Sequence, residues 1–298
     1  MLAHWHIRSV LLSLLVLTYA AAADDTSGLL TYRTTVSQVR VTFFATDENN
    51  HPVAPLTKAD FAVVDDERVV RNFRSFTPSD EISLDVVALV DASESVAPRF
   101  RVAVSDVLQL VVREPSILDD NIAVLSFGGT LGGTSVATMA GIRPAILCSS
   151  GCRASDSVTR LLAVKSSGST PLFDALLFAT DFISHHRRAG TRQVLILFSD
   201  GNDTISLHSP REALEALVDG GALVYSVDMG TSENQASIQT MGSMFLRQVS
   251  EATGGRYFPL HFSKSGSAAA VLNAVLEDLR ASYVVTDDLP SHQVGTPT

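Results

Sequence analysis

The sequence predicts an α/β protein with a doubly wound, mostly parallel, six-stranded sheet that carries helices on both faces and follows a small β module. Short apolar runs typical of buried strands recur along most of the chain, and apolar residues at helical spacing separate them. Strands that alternate with helices form parallel sheets covered on both faces. The runs lie at residues 85–90, 122–127, 193–198, 222–227, 256–260 and 282–285.

The helices are predicted from apolar spacing and from their ends. Residues 100–111, 172–179 and 271–279 carry apolar side chains three and four apart. Ser209, Pro210 and Glu212 form a capping box that starts another helix, and Gly254 follows a helix at 238–252. The Gly-, Ser- and Thr-rich stretch at 128–153 suggests an edge hairpin.

Alternating residues and turn clusters before Ser83 predict strands rather than helices. Val39, Val41 and Phe43 alternate with polar residues, and the acidic residues 65–67 separate two further apolar segments. We therefore expect a small β module at 24–80, an α/β domain at 83–286 and a C-terminal tail at 287–298.

The first 23 residues have the pattern of a secretory signal peptide. A weakly basic start with Arg8 precedes the apolar residues 10–19, and Ala21 to Ala23 form a cleavage site. That apolar stretch is shorter than the ~20 residues of a spanning helix. We expect export to the periplasm or outside the cell, with no transmembrane span after removal of the signal.

Composition and net charge argue against nucleic acid as a partner. The chain has 298 residues, 46% of them hydrophobic, and a formal net charge of -10, which opposes binding to nucleic acid.

Cys148 and Cys152 are the two cysteines, four residues apart in a Ser/Gly loop. A disulfide is expected in an oxidising compartment, because a zinc site would need further Cys or His ligands nearby.

Three segments carry oxygen-bearing side chains at points where strands end or a helix begins. Asp91, Ser93 and Ser95 follow the first buried strand in a D-x-S-x-S pattern. Asp200 follows the strand at 193–198, and Thr170 precedes a helix. Ligands of open α/β sheets bind at the carboxyl ends of the strands.

These five residues, in this order, resemble the metal-ion-dependent adhesion site of von Willebrand factor A (VWA) domains, a Rossmann-like fold. The resemblance extends from about Ser83 to Val285, and it implies that the strands bearing Asp91 and Asp200 are neighbours. It also implies direct metal binding by Ser93 and Ser95, direct or water-mediated binding by Thr170, and largely water-mediated binding by the two aspartates.

More narrowly, the chain is similar to bacterial exported proteins in which a β segment precedes the VWA domain. The matching positions are Val53, residues 56–61, Asp65, Asp66, Leu279, Arg280 and Tyr283. Two features depart from that group: Glu94, Ser95 and Val96 stand where Gly, Ser and Met are usual, and the sequence ends soon after Tyr283.

The ligand set favours a hard cation. Oxygen ligands select Mg²⁺, with Mn²⁺ or Ca²⁺ as alternatives, over thiophilic metals. Because much of the ion's shell would remain open, we expect a Glu or Asp carboxylate of a protein or peptide partner to complete it.

Each segment also has an ordinary structural explanation. Thr170 before Pro171 fits a helix N-cap, Ser93 or Ser95 could cap the next helix, and Ser199-Asp200-Gly201 fits a turn. Asp174, one helical turn past Thr170, could orient Thr170 or a metal-bound water, or simply suit the helix dipole. Asp228, at another strand end, is interpreted as a turn residue.

Three functions compete at this level. The first is an exported, metal-dependent protein-binding module used in adhesion or interaction. A scaffold component of an envelope complex with a vestigial metal site is the second. A hydrolase is the third, but the sequence contains no G-x-S-x-G, H-E-x-x-H, Walker or G-x-G-x-x-G motif. The sequence therefore favours a binding protein that is not an enzyme.

Overall fold

The structure is a computed structural model that describes most of the chain after residue 37. The described residues are 38–45, 56–65, 67–70, 73–78, 82–112, 121–128, 136–138, 141–150, 152, 154–230, 240–259, 275, 277–279 and 281–288. The expected signal peptide at 1–23, the residues around its cleavage site and most of the tail at 287–298 lie outside them.

Thirteen strands and five helices occur within the described residues. The strands are β1 (Gln38–Phe44), β2 (Val63–Asp65), β3 (Arg68–Val70), β4 (Ser75–Pro78), β5 (Leu84–Asp91), β6 (Asn121–Phe127), β7 (Val136–Thr138), β8 (Gly141–Arg143), β9 (Ala145–Cys148), β10 (Arg192–Ser199), β11 (Leu223–Asp228), β12 (Tyr257–Pro259) and β13 (Ser282–Asp288). The helices are α1 (Ala97–Val112), α2 (Ala154–Ala163), α3 (Leu172–His186), α4 (Pro210–Gly220) and α5 (Met241–Ala252).

The large sheet has six strands in the order β12-β11-β10-β5-β6-β9. Its first five strands are parallel to one another, and β9 runs antiparallel to β6 at one edge. The predicted fold class and strand number are confirmed. One of the six strands predicted for this sheet is wrong. The sixth strand is β9, from the Gly/Ser-rich stretch, and not the strand at 282–285.

Helices cover both faces of this sheet, as a doubly wound fold requires. Successive residues of β5 point to opposite faces, so Val86, Ala88 and Val90 join one core and Val87 and Leu89 the other. The first core contains residues of α1 and α2, and the second contains residues of α3, α4 and α5. All eight residues of β10 are buried, which explains its continuous apolar run.

Where the sequence contains a specific capping motif, the helix begins as predicted. Ser209 and Glu212 form the predicted capping box at the start of α4, with Pro210 at the first helical position. Helix α5 starts at Met241 with its own capping box from Thr240 and Ser243. Of the helix expected at 271–279, the structure describes residues 275 and 277–279.

A second, three-stranded sheet joins the two ends of the described chain. Strand β13 lies between β1 and β4 and is antiparallel to both. Tyr283 of β13 belongs to an aromatic cluster with Phe43, Phe61, Phe73 and Phe76, in which Phe76 stacks on Tyr283 at 5.2 Å. The Leu56 N–H donates to the Tyr283 hydroxyl at 3.0 Å. The strand predicted at 282–285 therefore completes the core of the N-terminal strands.

Two polar contacts fasten β13 to the amino end of the large sheet. Arg192, the first residue of β10, is buried and donates to the Ser282 hydroxyl and to the Leu279 carbonyl. Beside it, the Asp85 carboxylate accepts hydrogen bonds from Arg188, Thr191 and Gln193. The small sheet is thus attached at the edge of the large sheet where β5 and β10 begin.

Two further features bear on the expected location. Cys148 and Cys152 form the predicted disulfide, which ties the end of β9 to the segment before α2. Within the described ranges, none of the helices is both long enough and apolar enough to span a membrane.

Tyr283→Ala should lower the free energy of unfolding by about 3–5 kcal/mol, because it leaves a cavity beside Phe43 and Phe76. Tyr283→Phe keeps the ring and should cost only about 1 kcal/mol for the lost hydrogen bond. Urea unfolding measures both, with Val64→Ala on an exposed strand position as control. A Tyr283→Ala protein as stable as the wild type would show that β13 contributes nothing to this core.

Candidate metal centre

Asp91 is the last residue of β5, and its carboxylate is fully buried. It accepts hydrogen bonds from the Ser93 N–H at 2.8 Å and from the Ser199 hydroxyl at 2.7 Å. The Ala92 N–H donates to the Phe127 carbonyl at the end of β6. The carboxylate is therefore fixed between the ends of β5, β6 and β10.

The loop after Asp91 is packed closely against Gly128. A Cβ at Gly128 would lie 2.9 Å from the Ser93 nitrogen, and Gly128 has a φ of +65°. Any larger residue would displace the loop, since neither the space nor the backbone conformation suits a side chain.

Ser93 and Ser95 bring two hydroxyls together at the boundary with solvent. Their Oγ atoms lie 3.2 Å apart, and Ser93 is buried whereas Ser95 is exposed. In the first turn of α1, the Ala97 N–H donates to the Glu94 carbonyl, and the N–H groups of Arg99 and Phe100 donate to the Val96 carbonyl. The described contacts of the two hydroxyls do not include a cap of α1.

Asp200 lies at the same sheet edge as Asp91. Strands β5 and β10 are parallel neighbours in which Phe198 pairs with Val90, so the residues that follow both strands leave the sheet side by side. Asp200 is 6% exposed, and its Oδ1 accepts from the Asn202 N–H at 3.0 Å. Gly201, with a φ of +77°, makes the turn, and its N–H donates to the Ser199 hydroxyl.

Electrostatics make the pair of aspartates unfavourable without a cation. Burial, together with a smaller effect of the negative charge of Asp200, raises the pKa of Asp91 to about 6 against the opposing hydrogen bonds from Ser199 and Ser93. An ionised carboxylate that is buried beside another needs a compensating charge. The site therefore fits a cation held by oxygen atoms.

Thr170 reaches this centre through the loop before α3. The Ser167 N–H donates to the Ala92 carbonyl at 3.0 Å, and the Glu94 N–H donates to the Gly168 carbonyl at 3.2 Å. Thr170 itself is 3% exposed. All three predicted segments thus meet at one edge of the sheet.

The helix-cap explanation of Thr170 is wrong. Helix α3 begins at Leu172, its N-cap position is Pro171, and no side chain caps it. The Thr170 backbone instead pairs with Thr204, donating to its hydroxyl at 2.7 Å and accepting from its N–H at 2.9 Å. This pairing joins the Thr170 loop to the loop that follows Asp200.

Asp174 holds backbone rather than Thr170. Its carboxylate accepts from the N–H groups of Ile142, Leu207 and His208 and lies 2.7 Å from the His208 Nδ1. Gly141 approaches so closely that a Cβ there would lie 2.9 Å from the Asp174 Cγ. These contacts fasten β8 and residues 207–208 to α3. Asp174 also lies in the first turn of α3, as the helix-dipole interpretation expects.

Several residues of the centre were missed by sequence reasoning. Ser199 is a polar residue at the end of an otherwise apolar strand, a signal that could have identified it as a partner of Asp91. Thr204 and His208 lie in a polar turn and gave no such signal. Asp228 accepts from the Gly230 N–H and the Tyr257 hydroxyl, consistent with its interpretation as a turn residue.

Metal ligands of other kinds do not gather elsewhere in the described part of the chain. No group of three or more His, Cys, Asp or Glu side chains there is placed to hold an ion. The centre at Asp91 is not such a group, because it contains only two carboxylates and its other candidate ligands are hydroxyls.

Asp174→Asn should destabilise the protein by about 2 kcal/mol at pH 7, because an amide cannot accept all of these hydrogen bonds. Burial opposes ionisation of Asp174, but the hydrogen bonds from Ile142, His208 and Leu207 lower its pKa below the ordinary value. Its contribution is therefore present above the unfolded pKa of about 3.9 and lost as the pH falls through the lower folded pKa.

Urea unfolding at pH 7 and near pH 3 tests this dependence. The difference between wild type and Asp174→Asn should shrink at the lower pH, and exposed Asp181→Asn on the same helix should change little at either pH. An equal loss at both pH values would contradict the assigned role of the ionised carboxylate.

Comparison with known structures finds distant likenesses. An aerotolerance-related membrane protein from Bacteroides fragilis is 11% identical (TM-score 0.46; 66% of this chain and 98% of that one covered). BatB from Bacteroides thetaiotaomicron is 15% identical (0.46; 65% and 98%), and manganese-loaded TRAP from Plasmodium vivax is 14% identical (0.44; 72% and 81%). No curated protein sequence matches significantly. At these values the likenesses carry no conclusion about function.

The family assignment comes from the sequence itself. The profile of the von Willebrand factor type A domain matches residues 85–256, which run from the start of β5 to the residue before β12. Domains of this type are mostly interaction or adhesion modules rather than enzymes. With the profile covering more than half of its length, the chain belongs to the von Willebrand factor type A domain family.

Proposed function

We propose that this protein is an exported module that binds another protein through a divalent cation held by Asp91, Ser93, Ser95, Thr170 and Asp200. The observation that carries the proposal is the pair of buried aspartates at the ends of neighbouring parallel strands, with two serine hydroxyls beside them. Such a pair is electrostatically costly alone and favourable around a cation.

Mg²⁺ is the proposed ion, with Mn²⁺ or Ca²⁺ as substitutes, because all the candidate ligands are hard oxygens. When bound, the cation supplies positive charge and open positions for an outside oxygen. Asp91 and Asp200 supply the compensating negative charge, and Ser93, Ser95 and Thr170 supply neutral oxygens. Ser199 keeps the Asp91 carboxylate in place through its hydrogen bond.

The partner group that fits best is a carboxylate. Because Asp91 and Asp200 are proposed to contact the ion largely through water, the ion stays electrophilic and its open shell can take one further anionic oxygen. This also explains how a chain with a net charge of -10 can bind an acidic residue. Glu94 is exposed next to Ser95 and should disfavour partners with several neighbouring carboxylates.

Export is proposed from the signal-like N-terminal residues, and the disulfide suits an oxidising compartment. The periplasm and the extracellular space are both compatible with these features. Catalysis is not proposed, because domains of this family are mostly interaction or adhesion modules rather than enzymes.

Thermal or urea unfolding with Mg²⁺ or with EDTA tests the metal centre directly. Mg²⁺ at 100 times its dissociation constant should raise the free energy of unfolding of the wild type by about 2.7 kcal/mol. Asp91→Ala and Asp200→Ala should remove this increase, whereas Asp219→Ala, an exposed aspartate of α4, should retain it.

The metal-free proteins provide a second readout with a defined sign. Since burial and Asp200 raise the pKa of Asp91 to about 6, the ionised form destabilises the fold at pH 7. Asp91→Asn in EDTA should therefore be at least as stable as the wild type in EDTA. A wild type unchanged by Mg²⁺, Mn²⁺ and Ca²⁺ would refute the metal function and favour a scaffold with a vestigial site.

A further inference from the structure

Four strongly exposed apolar side chains lie on two segments that adjoin the metal centre. Leu207 is 67% exposed and Ile205 44%, both in the loop after Asp200, while Met241 is 81% and Met244 49% exposed at the start of α5. We name these four residues the apolar rim. Exposed apolar side chains that occur together mark binding surfaces more often than isolated ones do.

Both segments of the apolar rim contact the residues of the centre. A Cβ at Gly242 would lie 2.3 Å from the Asp200 carbonyl oxygen, so the first turn of α5 touches the residue that follows β10. Thr204, next to Ile205, pairs with the Thr170 backbone. Between the segments, Phe173 of α3 packs edge-on against Phe245 of α5 at 5.1 Å.

In the loop of residues 201–209, polar side chains are hydrogen-bonded within the protein and apolar side chains face solvent. This is the reverse of the usual arrangement. The Asp203 carboxylate accepts from the N–H groups of Phe173 and Ser206, and the Ser206 hydroxyl accepts from the Asp174 N–H. The apolar side chains of Ile205 and Leu207 are left in solvent instead. Folding alone does not favour this arrangement, whereas burial under a partner does.

The backbone that carries these exposed side chains is held in place. Asp174 fixes the Leu207 and His208 N–H groups, and the capping box of Thr240 and Ser243 fixes the start of α5. A preorganised surface loses less conformational entropy on binding than a mobile loop does. Methionine side chains additionally adapt to partners of varied shape.

We propose that the apolar rim binds apolar side chains next to the carboxylate that the metal centre takes from the partner. The occupant is a protein segment in which one Glu or Asp stands beside Leu, Met or Phe. Charge supports this choice, because Asp203 is engaged within the loop and exposed Glu94 would repel additional acidic residues. The proposal rests on the proposed metal function and specifies its partner.

Two pools of fluorescent pentapeptides with a central Glu test the apolar rim. One pool has Leu, Met or Phe at the flanking positions, and the other has Ser, Asn or Gln. Fluorescence polarisation in Mg²⁺ should show that the apolar pool binds the wild type at least about tenfold more tightly, as expected for burying one apolar side chain.

A triple variant, Leu207→Asn with Met241→Gln and Met244→Gln, should lose this preference while keeping its unfolding response to Mg²⁺. The three changes alter exposed side chains and leave the backbone hydrogen bonds of Leu207 available. The matched control carries Leu162→Gln and Val64→Asn, which alter exposed apolar residues of α2 and β2, and it should behave as the wild type.

The remaining outcomes separate the two proposals. Equal binding of both pools, or no binding of either, would overturn the apolar rim, and the Mg²⁺ response would still decide the metal function. Apolar binding that survives EDTA and Asp91→Ala would overturn the link between rim and metal. A Mg²⁺-dependent dimer of the chain alone, lost in the triple variant, would assign the rim to a second copy and overturn the proposed partner.

Discussion

The burial of two carboxylates, Asp91 and Asp200, constrains this edge of the sheet more than any other feature does. Asp91 and Asp200 are brought together by the parallel pairing of β5 and β10, and both are almost completely removed from water. Without a cation this arrangement opposes ionisation, as the raised pKa of Asp91 indicates. Apolar burial elsewhere in the two cores must offset this cost, and a bound cation would remove it.

Close backbone packing around the carboxylates makes the centre a rigid unit. Gly128 touches the Ser93 backbone on one side, and Gly201 and Gly242 touch each other on the other side. Hydrogen bonds from Ser167 and Glu94 bring in the loop that carries Thr170, which pairs in turn with Thr204. A shift of any one of these loops would therefore disturb its neighbours, which is the property that a preorganised binding site requires.

Local sequence patterns predicted the strands and helices well, because a strand that is buried on both faces consists of a continuous apolar run. The apolar runs of β5, β6, β10 and β11 and the capping box of Ser209 were read correctly. The pairing of β13 with β1 was not predicted. Which strands pair, when they are far apart in the chain, depends on side-chain packing. An apolar run such as 282–285 fits either sheet, and only the aromatic cluster around Tyr283 selects the small one.

The same distinction applies to the centre. The resemblance of D-x-S-x-S, Thr170 and Asp200 to a known site identified the candidate ligands, but it did not reveal what holds them. Ser199, Thr204 and the acceptor role of Asp174 depend on contacts between loops that are distant in sequence. Asp174 looked like a residue near the metal because one helical turn separates it from Thr170, yet its described hydrogen bonds lead to residues 142 and 206–208.

The position of the small sheet leaves the candidate metal centre accessible. Arg192 joins β13 through Ser282 at the first residue of β10, whereas Ser199 holds Asp91 at the last residue of the same strand. A strand of this length spans roughly 25 Å. The N-terminal strands and β13 are therefore fastened at the opposite end of β10 from the centre. This arrangement separates the attachment of the small sheet from the proposed binding site at the carboxylates and the apolar rim.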